Sequence, residues 1–169
     1  MAAPPSTIRP GTPGDDAVCL QVIRAGFATV AEELGFTAAT HPRFPAYWSA
    51  ERFARARGRE GQLLVAEAGG VVVGCCFAGP GPDGDGWVLN RLAVLPTARH
   101  RGIGAGLVRA AAGEAVRHRA GSLGLSIVAA NHRLGRWYHE LGFELVSTTR
   151  PETLPFDVAE YRLHLCRGS

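Results

Sequence analysis

Near the middle of the chain a strand, a glycine-rich turn and a helix follow one another without a break, and this run most narrows the folds available. Trp87 to Leu95 is apolar and β-prone and is stopped by Pro96. After Arg99-His100-Arg101, glycines stand at 102, 104 and 106. From Gly102 to His118 the apolar residues Ile103, Leu107, Ala111 and Ala115 recur at four-residue steps, the stripe of an amphipathic helix. Leu123 to Ala129 is then a short apolar strand. A helix between two strands lets them lie parallel in one sheet, so the stretch predicts a βαβ unit.

The flanks predict the rest of that sheet. Asp15 to Ala31 carries Val18, Val22, Phe27 and Val30 on an approximate helical face after the turn-rich Pro10 to Gly14. Gly35 to Tyr47 is an irregular loop with Pro42, Pro45, Phe36, His41, Arg43 and Phe44, and Ser49 is placed to cap a short helix. Gln62 to Glu67 and Val71 to Phe77, joined through Ala68-Gly69-Gly70, read as a β-hairpin. Leu134, Trp137, Tyr138 and Leu141 mark a brief helix ending at Gly142, and Phe143 to Ser147 with Val158 to Leu165 predicts a final hairpin. The expectation is one domain over 1–169, an α/β fold with a single mixed, mostly antiparallel sheet and no internal repeat.

Composition removes several chemistries. All 18 basic residues are arginine, so neither a Walker phosphate loop nor Schiff-base catalysis is available. The four cysteines, Cys19, Cys75, Cys76 and Cys166, lack metal-ligand spacing, and neighbours Cys75 and Cys76 on a strand should face opposite sides, so no metal is expected. The longest apolar stretch, Val71 to Ala78, falls far short of the ~20 residues that cross a bilayer. Met1 to Pro10 has no apolar run of a signal peptide, so a cytoplasmic location without membrane contact is the expectation. Basic residues are not clustered enough to predict nucleic-acid binding.

Glycines at 102, 104 and 106 at a helix start allow close approach of an anion to backbone N–H groups, at the end where the helix dipole is positive. A dinucleotide site is the competing reading of such a turn, but it needs an acidic residue ~20 positions on, and Ser122 to Ser126 has none. The run Leu92-Ala93-Val94-Leu95-Pro96 followed by Arg99-His100-Arg101-Gly102-Ile103-Gly104-Ala105-Gly106 resembles the acyl-CoA loop of the GNAT superfamily of N-acyltransferases. Asn131, Trp137-Tyr138 and Leu141-Gly142-Phe143 resemble that family's second cofactor segment, so the resemblance spans Trp87 to Phe143. It implies a sheet splayed at the cofactor strands, with helices on both faces. Acetyl-CoA is then the implied cofactor, its pantetheine arm lying along Leu92 to Val94 and its pyrophosphate at residues 99–106. It further implies that the Val94 N–H polarises the thioester carbonyl, that Asn131 holds the pantetheine amides, and that Tyr138 is the general acid.

The acceptor side is less defined. Many members of the superfamily carry a carboxylate on the strand entering the Leu-x-Val run, where this chain has Val88, Asn90 and Arg91. The base is therefore unassigned, with His41 or a water oriented by Asn90 as candidates. His41, Phe44, Trp48 and Asn90 are the expected acceptor contacts, with the loops at Gly35 to Trp48, Trp87 to Arg91 and Leu154-Pro155-Phe156 around them. These residues predict a small-molecule amine with apolar or anionic groups. A peptide N-terminus or a non-catalytic acyl-CoA-binding module are the alternatives, and a homodimer is left open.

Overall fold

The computed structural model describes residues 5–166. Its seven-stranded sheet runs in the order β1-β2-β3-β4-β5-β7-β6. The strands are β1 (Ser6–Pro10), β2 (Gln62–Ala68), β3 (Val71–Pro80), β4 (Gly86–Val94), β5 (Ser122–Val128), β6 (Glu144–Thr149) and β7 (Val158–His164). Four α-helices join them: α1 (Asp16–Leu34), α2 (Ala50–Arg59), α3 (Ile103–Arg117) and α4 (His132–Glu140). Every neighbouring pair is antiparallel except β4 and β5.

Strand alternation divides the core between the two faces. On one face Leu64, Cys76, Ala78 and Leu89 pack beneath Leu107, Val108 and Ala111 of α3. On the other, Leu63, Val65, Cys75 and Phe77 pack with Cys19, Val22 and Ile23 of α1 and Phe53 of α2. Cys75 and Cys76 thus face opposite sides, as period two requires.

The expected elements form within a few residues of their predicted ends, and the Ser49 side chain caps α2 by accepting from Arg52 N at 3.2 Å. One element was not anticipated. Ser6–Pro10 is an edge strand against β2, too short and proline-flanked to show a pattern. Arg9 anchors it: its guanidinium donates to Asp15 at 2.8 and 2.9 Å and to Glu67 of β2 at 2.7 Å. Those hydrogen bonds, with a further 2.7 Å bond from Thr12 N, hold the Asp15 carboxyl well below the usual carboxylate range.

Candidate active site

The site begins where a parallel pair stops pairing. β4 and β5 share register only at Gly86–Ser122, Trp87–Leu123 and Val88–Gly124. Beyond that, β5 continues with β7 as far as Val128–Val158, while β4 continues with β3 as far as Gly74–Val94. The two strands diverge, and a cleft of about 1000 Å³ lies between them.

A bulge in β4 sharpens the divergence. Phe77 pairs with Asn90 and Cys75 with Ala93, so β4 holds one residue more than its partner there. Arg91 takes the left-handed conformation, φ 54°, that absorbs it. Leu95 N–H donates to Val73 O at 2.8 Å. Successive backbone N–H groups alternate sides, so Val94 N–H points the other way, into the gap where β5 has left. Leu92, Ala93 and Val94 all line the cleft.

The turn after β4 closes one end. His100 (φ 63°) and Gly102 (φ 77°) are left-handed, and Gly102 is the N-cap of α3. Gly106 N–H already donates to Gly102 O at 2.9 Å. The free donors are therefore the N–H groups of Ile103, Gly104 and Ala105 in the first helical turn, and all three residues line the cleft. At Gly104 a Cβ would stand 3.3 Å from the Trp137 ring, so glycine lets α3 and α4 meet across the cleft.

Two expected cofactor residues have other work. Gly106 does not line the cleft; a Cβ there would press on Ile8 at 3.1 Å, so its bareness serves the packing of α3 on β1. Arg101 is exposed and is not part of the cleft lining. Arg99 does line it, but one Nη donates to Gly26 O of α1 at 2.9 Å, bracing the turn. Asn131 is the N-cap of α4, its Oδ1 accepting from Leu134 N at 3.3 Å, which leaves its amide nitrogen toward other partners in the cleft.

Tyr138, 4 % exposed, lies between Trp137 and Phe143 and lines the cleft from α4. Burial, with a smaller contribution from nearby Cys76, pushes its phenol well above the ordinary tyrosine value. It is therefore held protonated at neutral pH, the form a proton donor needs.

The opposite end is aromatic. Phe27, Phe44 and Phe156 line it, and His41 stacks on Phe36 with ring centroids 3.7 Å apart. Phe36 also stacks on Phe156 at 5.5 Å, so the loop after α1 and the β6–β7 connection form one wall. His41 and Asn90 line this end as expected, and Thr40 Oγ1 holds His41 Nδ1 at 2.8 Å.

Trp48 corrects the expected acceptor contacts. It is 2 % exposed, packs in the α1 and α2 core, and donates Nε1 to Arg43 O at 3.1 Å. A large apolar ring followed by a capping serine was drawn into the core. Sequence reasoning missed Arg52 and placed Arg91 only at the end of an acceptor-side segment; the two lie over that ring at 5.7 and 4.9 Å and line the cleft. Only the tertiary contact brings the two to one ring, since 38 residues lie between Arg52 and Arg91 in the chain.

Solved structures share this fold over nearly its whole length. The ribosomal-protein-S18-alanine N-acetyltransferase from Escherichia coli superposes with a TM-score of 0.75 at 18% identity, covering 98% of this chain and 97% of that one. A GCN5-related N-acetyltransferase from Rhodopseudomonas palustris gives 0.75 at 21% identity, covering 98% and 99%. The Salmonella typhimurium protein yncA, solved with its cofactor acetyl-CoA, gives 0.71 at 22% identity, covering 97% and 96%. No curated protein sequence matches the chain. The family model described as Acetyltransferase (GNAT) family matches residues 30–143, from the end of α1 through the turn to Phe143. With both cofactor segments inside that match and the splayed strands between them, the chain belongs to the GNAT family of acetyl-CoA-dependent N-acetyltransferases.

Proposed function

We propose that this cytoplasmic enzyme moves the acetyl group of acetyl-CoA to the primary amine of a small molecule, by direct attack with both substrates bound. The observation that carries the reading is the parting of β4 and β5 after Val88 and Gly124, which leaves Val94 N–H unpaired by β5 and facing the same cleft as Tyr138. The cofactor fits the residues present: a diphosphate would meet three unbonded N–H groups at the positive end of α3, and the missing Cβ at Gly104 keeps the approach between α3 and Trp137 open.

When bound, acetyl-CoA supplies a thioester activated toward attack by nitrogen. Val94 N–H is positioned to donate to the carbonyl oxygen as negative charge grows on it, an effect worth about 3 kcal/mol of barrier for one well-aimed donor. Tyr138, neutral at pH 7 as a phenol ordinarily is and kept so to higher pH by burial, holds its proton for the departing sulfur. The Asn131 amide nitrogen is free to donate to a carbonyl of the pantetheine arm. A free alkylammonium, with a pKa near ~10.4, must lose a proton before it can attack. We assign that role to His41, whose Nδ1 is hydrogen-bonded to Thr40 Oγ1 at 2.8 Å, so that Nε2 is the ring nitrogen left to accept the proton.

The aromatic end, with walls from two separate loops, favours a compact acceptor. The test is thiol release on mixing the enzyme with acetyl-CoA and a panel of small amines, peptides and amino acids. Turnover with a small amine supports the proposal. Turnover confined to peptides would reassign the acceptor, and tight cofactor binding with no turnover on any amine would make the chain a binding module.

A further inference from the structure

We infer that the acceptor carries a carboxylate beside its amine and an apolar side group, so that apolar α-amino acids are its substrate class, and that Arg52 and Arg91 grip that carboxylate. The inference rests on the acetyl-transfer reading above and names the acceptor for it.

The acceptor end of the cleft has more positive charge than the fold uses. Arg43 of the loop, Arg52 of α2 and Arg91 of the β4 bulge all line it. Among the described residues neither Arg43 nor Arg52 makes an ion pair, and Arg91 has one, from Nη2 to Glu60 Oε1 at 3.0 Å. The carboxylates that also line the cleft, Glu33 and Glu140, sit on α1 and α4, and Glu33 faces Arg133 at 3.5 Å. They do not neutralise the arginine group.

The two guanidiniums are held in place before any ligand arrives. Both lie over the buried Trp48 ring, Arg91 at 4.9 Å and Arg52 at 5.7 Å, a cation–π contact that restricts each side chain. The Nε atoms of both are buried with no hydrogen-bond acceptor. A guanidinium burying an N–H in this way carries a desolvation cost that a bound anion offsets, since its charge is delocalised over all three nitrogens. Arg91 also occupies the left-handed region at the bulge, where a side chain other than glycine is strained. The same bulge brings Asn90 and Arg91 to the cleft one after the other, an amide and a cation within reach of one small molecule.

Arginine suits a planar carboxylate because its fork offers two parallel N–H donors. The remaining wall of this end, Phe27, Phe44 and Phe156, suits an apolar side group. A polycation would meet repulsion here, and a peptide N-terminus would bring an amide where the carboxylate belongs.

The test compares leucine, methionine and phenylalanine with their amino amides and with the corresponding decarboxylated amines, by thiol release from acetyl-CoA. We expect kcat/KM for the acids to exceed that for the amides by about 10- to 100-fold. In Arg52→Gln and Arg52→Lys that ratio should fall toward one, chiefly through KM for the acid, with melting temperature confirming that the variants fold. If they do not fold, the wild-type ratio decides alone. Amides matching or exceeding acids, or no acid being acetylated, overturns the inference. Should amines or amides react while acids do not, the acetyl-transfer reading stands and only the carboxylate assignment is lost. If coenzyme A does not bind in a calorimetric titration and nothing is acetylated, both fall.

Discussion

The two ends of the cleft are built on different principles. At the proposed cofactor end the groups offered to a ligand are backbone: Val94 N–H exposed by a parted strand pair, and the first-turn N–H groups of α3. At the acceptor end they are side chains from distant segments, Phe27 and Phe44 from residues around α1, Arg52 from α2, Arg91 from β4 and Phe156 from the β6–β7 connection. A backbone site needs a short local pattern of glycines and strand ends, and it can be kept while everything around it changes. A side-chain site assembled from five segments can be remade by changing any one of them.

The contrast predicts that changes at the first end lower turnover with every acceptor, while changes at the second alter which acceptor is used. Tyr138→Phe should have the largest effect, lowering kcat by about 10²- to 10⁴-fold for all acceptors while the Kd for coenzyme A stays nearly constant. A loss below threefold would remove the phenol from the chemistry. Gly104→Val comes next. Its side chain would meet the Trp137 ring, already 3.3 Å from a bare Cβ, and we expect coenzyme A affinity by calorimetry to weaken by about 10- to 100-fold. Unchanged affinity there would show that the α3 turn does not receive the diphosphate.

Phe156→Ala should separate the ends most clearly. It removes one face of the Phe36 stack, and we expect KM for the acceptor to rise about 10-fold while the Kd for coenzyme A is unaltered. Equal losses in both constants would merge the two ends into one unit. The smallest effect on either end is expected from Asp15→Asn at the β1 edge, where kinetics should be unchanged and the melting midpoint should fall by about 2–4 °C.

The pH dependence has two opposite signs. The Asp15 carboxyl is depressed, chiefly by its hydrogen bonds from Arg9, so its contribution to stability is complete above the ordinary carboxylate range and is lost as pH falls through the depressed value. The Tyr138 phenol is raised by burial, so stability is complete below its unfolded value of about 10 and declines as pH rises beyond it. Circular dichroism against pH checks both. The same elevation means that loss of the phenolic proton should not cut the rate below about pH 10, and an alkaline fall near pH 8 would have to come from another group.

Much of the cofactor end was readable in the residue order, because its parts are local. Pro96 ends a strand, glycines at 102 and 104 open a helix, and the four-residue apolar stripe continues it. Gly106 and Arg101 fall outside the cleft lining, and only the packed helix shows that Gly106 N–H is already bonded and that a Cβ there would meet Ile8. Asn131 and Arg99, expected cofactor contacts, each hold the protein's own backbone.

By itself the sequence determined the order of strands and helices from α1 onward, the parallel pair, the opposite facing of Cys75 and Cys76, and the glycine turn. These depend on periodicity and on the conformational range of single residues, which act over a few positions. Tertiary structure alone decided where β4 and β5 part, after three pairs, that Trp48 sinks into the core, and that Arg52 and Arg91 both lie over its ring. Those outcomes balance burial, strand pairing and charge among segments far apart in the chain, and no local pattern carries that balance.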